Sequence, residues 1–155
     1  VVADLEAQRR TISLVGPAMN WGTMTNYSDP VVWLDAFYAA YKIANPGKIP
    51  RIDYLAFHWY DYGLAAQLDR LKKYNKQIWI TELANWNANI NSYDKQAEQM
   101  RQMVAICESR SDVFRYAWFI GRGGLPDNKY TYLFNPTPGE LTSLGKLYIN
   151  LPWSN

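Results

Sequence analysis

Glu82 closes a short apolar run that reads Lys76-Gln77-Ile78-Trp79-Ile80-Thr81-Glu82-Leu83-Ala84 with its flanks. A core strand has no use for such a group, because burying an unpaired carboxylate is strongly unfavourable. At the C-terminal tip of a strand the same carboxylate can do chemistry, either nucleophilic attack or proton transfer of the kind that opens a glycosidic bond. His58 and Tyr60 end a second run, Ile52 to Tyr60, and stand two residues apart, so they share one side of it. His58 is the only histidine and Cys107 the only cysteine, so no set of residues is spaced to hold a metal. Arg122-Gly123-Gly124 lacks the Lys and the spacing of a phosphate loop and reads as a shaper of its own loop. No cofactor and no metal is expected. Asp61, within Tyr60-Asp61-Tyr62, reads as a turn residue.

The elements that must position these groups are legible as alternating patterns. Four runs are β-branched or aromatic-rich and bounded by turn residues, which marks strands: Thr11 to Val15 closed by Gly16-Pro17, Ile52 to Tyr60, Gln77 to Thr81, and Phe114 to Phe119. Between them lie helical spacings. Pro30 to Ala44 follows Asp29-Pro30, an N-cap with Pro at the first helical position. Leu64 to Tyr74, Ser92 to Ser109 and Leu141 to Leu147 repeat the pattern, and Val1 to Arg9 reads as the tail of a further helix. Such alternation predicts an α/β fold with a parallel sheet and right-handed crossovers. The fold class expected is a (β/α)8 TIM-barrel type, of which only four β/α units are present where a full barrel has eight.

By alternation, Glu82 is expected to share a face with Ile80 and Ile78, which would fill the barrel interior and leave Glu82 at its mouth. Trp118 at the end of the fourth strand, and Asn20 and Trp21 after the first, are expected to converge on the same C-terminal rim. Trp86 follows Glu82 in the next loop.

Length and charge narrow the partners. At 155 residues the chain is expected to form a single domain, residues 1–155. The formal charge of +2, with no Lys/Arg run, argues against a nucleic acid as ligand, and no apolar stretch is long enough to cross a membrane. No disulfide within the chain is possible. The 7 Trp and 12 Tyr suit a sugar-binding cleft, since an aromatic face covers the C–H face of a pyranose, although most of them are expected in the core. No signal peptide is visible at Val1-Val2-Ala3-Asp4-Leu5, and Asn26-Tyr27-Ser28 is a glycosylation sequon.

Taken in order, Leu14-Val15-Gly16-Pro17-Ala18, Ile52 to Asp61, Ile78 to Ala84 and Arg115-Tyr116-Ala117-Trp118-Phe119 resemble the second half of a glycoside hydrolase of family 128, over roughly residues 10 to 150. The resemblance implies a β-1,3-glucanase barrel whose fifth to eighth strands are these four. It implies that Glu82 is the nucleophile of a retaining, double-displacement reaction. His58, Tyr60, Trp86, Trp118, Asn20 and Trp21 are the implied glucan-binding residues. A retaining site needs two carboxyls about 5–5.5 Å apart. The family's acid/base Glu lies in an Asn-Glu-Pro type of motif on the fourth strand, which is expected to lie outside this chain. The implied partners are a β-glucan, and either an N-terminal half-barrel or a second copy of the chain closing a homodimer. An open half-barrel is expected to expose two strand edges and the apolar face of Ile78, Ile80, Leu14 and Leu55. The implied setting is secreted or cell-wall associated. The competing expectation is a glucan-binding half-barrel without turnover.

Overall fold

The computed structural model describes residues 2–20, 25–123 and 130–152. Its elements alternate along the chain: α1 (Val2–Ala7), β1 (Val15–Met19), α2 (Pro30–Ala44), β2 (Tyr54–Trp59), α3 (Leu64–Leu71), β3 (Gln77–Leu83), α4 (Tyr93–Glu108), β4 (Val113–Trp118) and α5 (Ser143–Ile149). The strands pair in the order β1-β2-β3-β4, all parallel, which is the four-unit (β/α) barrel-type sheet expected. A short 3₁₀ turn, Lys72–Tyr74, completes the run expected as one helix from Leu64.

Three of the helices, α2, α4 and α5, begin where a side chain satisfies one of their first N–H groups. Asp29 accepts from the Val31 N–H at 2.9 Å, and Pro30 stands at the first helical position of α2. Ser92 accepts from the Lys95 N–H at 3.3 Å, and Thr142 Oγ1 from the Gly145 N–H at 3.0 Å.

β1 departs from expectation. It was expected over Thr11 to Val15 with Gly16-Pro17 as its end, and it instead begins at Val15 and runs through that dipeptide. β1 lies at one end of the strand order, and Pro17 falls within the register shift between Gly16 and Met19. A proline without an N–H removes no ladder bond in such a place. Residues before it are held by other means: the Leu14 N–H donates to Asp53 Oδ2 at 2.7 Å and the Leu14 carbonyl accepts from Asp53 and Tyr54.

The expected assignment of faces is also corrected. Leu55, Phe57, Ile78, Ile80 and Leu83 are all 0% exposed and cluster with Leu34, Leu64, Leu68, Leu71, Met100, Val104 and Leu144 from the helices. Ile78 and Ile80 therefore lie under the helices and do not fill a barrel interior. They and Leu55 form no exposed apolar face, and Leu14 is half-buried. The face turned away from the helices is aromatic: Tyr54 stacks on Phe114 with centroids 4.3 Å apart, Trp79 meets both edge-on, and the Arg115 guanidinium lies over Phe114 and Trp79. Large aliphatic side chains gain most from full burial, so they go where the helices cover them.

Candidate active site

The register shifts explain how Glu82 escapes the face of Ile80. From Phe57↔Ile80 to His58↔Glu82 the chain advances one residue on β2 and two on β3. From Ile80↔Tyr116 to Leu83↔Trp118 it advances three on β3 and two on β4. β3 thus carries one residue more than either neighbour between Ile80 and Leu83. Ile80 and Leu83 both stay under the helices, and Glu82 comes out on the opposite side, level with His58. An extra residue in a strand re-aims a side chain in this way.

His58 and Tyr60, expected as glucan-binding residues, lie beside Glu82. The Tyr60 hydroxyl donates to Glu82 Oε2, and His58 Nδ1 lies 3.1 Å from the same oxygen. Both neighbours fix the carboxylate through Oε2, and Oε1 has no hydrogen-bond partner among the described residues. The side chains of His58 and Glu82 are 19% and 30% exposed, so the carboxylate is held and remains reachable. Tyr60 is 3% exposed and cannot swing away.

Trp86 forms the wall of the site. Its ring stacks on Tyr60 with centroids 3.9 Å apart, and it is 38% exposed. Its N–H donates to the Tyr60 carbonyl at 2.7 Å, so the loop after β3 continues to pair with the end of β2. Phe119, which sequence reasoning did not select, closes the cluster, with its ring 5.8 Å from Tyr60 and 5.7 Å from Trp86.

The other candidates fall differently. Trp118 is not on the open rim: it is 7% exposed, its ring lies beside Tyr148 of α5, and its indole N–H donates to the Thr131 carbonyl at 2.9 Å. Its pairing with Leu83 puts it on the helix-covered side. Asn20 follows β1 with its amide oxygen buried and without a partner among the described residues. Trp21 lies outside the described residues. Asp61 accepts from the Tyr62 N–H at 2.8 Å and from Asn87 Nδ2 at 3.0 Å, which makes it a turn residue that ties the loop after β2 to the loop after β3. Arg122 likewise serves its own loop, with Nε donating to the Asn135 carbonyl at 3.1 Å. Among the described residues no group of three or more His, Cys, Asp or Glu could hold a metal ion.

Behind the rim lies a polar cluster that sequence reasoning also missed. Asn85 is 2% exposed; its Nδ2 donates to Gln99 Oε1 at 2.8 Å and its carbonyl accepts from Gln96 Nε2 at 3.0 Å. Its Oδ1 accepts from the Asn87 N–H at 2.9 Å. The signal was present in the chain: Gln96 and Gln99 share the stripe of α4 that also holds Met100 and Met103, where amides are out of place.

Comparison with known proteins places this geometry. The family model described as Glycosyl hydrolase catalytic core matches residues 2–148. No curated protein sequence matches the chain. Among solved structures, the chain is similar to a glycoside hydrolase family 128 (subgroup II) endo-β-1,3-glucanase from Pseudomonas viridiflava, with 56% identity and a TM-score of 0.88 over 99% of this chain and 60% of that one. It is similar to the subgroup II endo-β-1,3-glucanase from Sorangium cellulosum, with 28% identity and a TM-score of 0.75 over 99% of this chain and 60% of that one. A subgroup I endo-β-1,3-glucanase from Amycolatopsis mediterranei, solved in complex with laminaritriose, has 25% identity and a TM-score of 0.64 over 95% of this chain and 61% of that one. The chain thus spans about 60% of the length of these relatives.

Proposed function

We propose that this chain, which belongs to the glycosyl hydrolase catalytic core family, is the nucleophile-bearing half of an endo-β-1,3-glucanase. The observation that carries the reading is the carboxylate of Glu82 at the C-terminal end of β3, gripped through Oε2 by Tyr60 and His58 beside the exposed face of Trp86. A barrel enzyme works at the C-terminal ends of its strands. An attacking carboxylate must be ionised and aimed, and two neighbours on one oxygen aim the other.

The reaction is a double displacement. Glu82 Oε1 attacks the anomeric carbon, and the leaving oxygen takes a proton from a second carboxyl. Water then cleaves the glycosyl ester, with that second carboxyl acting as base. The second carboxyl comes from a segment outside residues 1–155, in keeping with a chain that spans about 60% of its relatives. Asp61 does not serve, because Tyr62 and Asn87 engage it. Trp86 offers the exposed ring face that holds the glucan, and the buried Tyr60 ring backs it. A secreted or cell-wall setting goes with a polymeric glucan as substrate.

Hydrolysis of laminarin, a β-1,3-glucan, tests the reading. The chain joined to an N-terminal half-barrel hydrolyses it, and the chain alone does not. Turnover by the chain alone sinks the divided site, and an unchanged rate in Glu82→Gln of the joined protein rejects Glu82 as nucleophile. Laminaritriose binding without turnover in either form supports instead a glucan-binding half-barrel, a reading favoured by the single carboxylate gripped at the rim.

A further inference from the structure

Gln96 is 0% exposed, its Nε2 is committed to the Asn85 carbonyl, and its Oε1 has no partner among the described residues. A buried amide oxygen left unpaired is unfavourable, and a leucine would fill the same position without that penalty. The bond that Gln96 does make therefore needs an explanation, and its place in the fold supplies one. Asn85 follows the end of β3 and precedes Trp86. In an extended segment neighbouring side chains point to opposite sides. Asn85 points to α4, where Gln96 and Gln99 hold its carbonyl and its side-chain amide, and Trp86 is thereby turned out onto Tyr60.

We propose that Gln96 and Gln99 are positioning residues: by clamping Asn85 to α4 they set the Trp86 ring on Tyr60 and so fix the sugar-stacking wall of the site. Neither amide touches the rim. Their action runs through the backbone from residue 85 to residue 86, where the Trp86 N–H bonds the Tyr60 carbonyl. Because Tyr60 also donates to Glu82, the clamp is linked to the carboxylate through Trp86 and then Tyr60. The sugar-holding part of the proposal rests on the function proposed above. The clamping part does not.

Two measurements on Gln96→Leu separate these parts. The first needs no sugar. Near-ultraviolet circular dichroism reports the stacked Tyr60–Trp86 pair, whose contribution is defined by the spectrum lost in Trp86→Leu. Gln96→Leu is expected to lose that same contribution with its far-ultraviolet spectrum unchanged. A retained contribution overturns the clamp whatever the chain binds. The second is laminaritriose affinity of the joined protein, measured well below its unfolding temperature. It is expected to weaken about three- to tenfold, the scale of one lost hydrogen bond, while kcat on laminarin changes less than KM. An unchanged affinity with the stacking signal lost overturns the positioning role and leaves a packing role alone. Gln99→Leu, at a site 9% exposed, gives the same two readouts where Gln96→Leu does not fold. Absence of laminaritriose binding by the unsubstituted joined protein refutes the proposed function and leaves the dichroism result to decide the clamp.

Discussion

The two faces of the sheet are built to different rules. Under the helices stand Leu55, Phe57, Ile78, Ile80 and Leu83, each without exposed surface and with only apolar side-chain atoms to bury. On the other face stand Tyr54, Trp79, Phe114 and Arg115 toward the strand beginnings, and His58, Tyr60 and Glu82 toward their ends. The first set gains stability from area removed from water, which is indifferent to direction. The second is held by stacking and hydrogen bonds, which fix direction and leave reactive atoms within reach. The buried core and the candidate site thus lie on opposite sides of the same four strands.

Substitutions on the two faces can break that contrast. Glu82→Gln has the largest expected effect. If Glu82 attacks as proposed, the substitution is expected to lower kcat on laminarin in the joined protein about 10⁴-fold, roughly 5.5 kcal/mol, with the thermal midpoint unmoved. A large loss of stability would mean that Glu82 carries structural weight as well. Ile80→Ala reverses the pattern, destabilising by about 2–5 kcal/mol in urea denaturation. Trp79→Ala, adjacent in the chain and on the other face, is expected to destabilise less despite the larger side chain removed. If it destabilises more, the division between the faces fails.

Tyr60→Phe keeps the ring against Trp86 and deletes the hydroxyl on Glu82. It is expected to lower kcat about 10- to 100-fold, the scale of a hydrogen bond to a charged group, with a smaller change in KM. The smallest effect lies away from both faces, before β4. There Arg110 grips Asp112 with two bonds of 2.8 and 2.7 Å and holds its carboxyl below its ordinary value of 3.8. A carboxyl depressed in the folded state adds stability that is complete above that ordinary value and is lost as pH falls through the lowered one. Asp112→Asn is therefore expected to cost about 0.5 kcal/mol at pH 6 and nothing at the acid limit, by urea titration at each pH.

Much of the framework is legible in the chain because local signals set it. Asp29-Pro30 and Ser92 mark helix starts, and α2 runs from Pro30 to Ala44 as its spacing implies. The meeting of Glu82 with His58 and Tyr60 is legible too, as residues at the ends of neighbouring parallel strands. The faces are not. Alternation divides a strand into two sets without saying which set the helices will cover, and that is decided by partners far along the chain. Trp118 illustrates the loss: its position at a strand end suggests the rim, whereas its pairing with Leu83 sends it beneath α5. The passage of β1 through Gly16-Pro17 depends likewise on its place at the end of the strand order.

The odd residue of β3 has a consequence for anyone moving this site to another scaffold. Between Ile80 and Leu83 the strand holds one residue more than β2 and β4 do. Copying the residue types of the rim onto an evenly matched sheet would deliver the carboxylate into the oil beneath the helices. The transferable unit is therefore a count as much as a sequence. Deleting a single codon there would invert the strand's tip more thoroughly than any point substitution, because it exchanges inside for outside in every residue that follows.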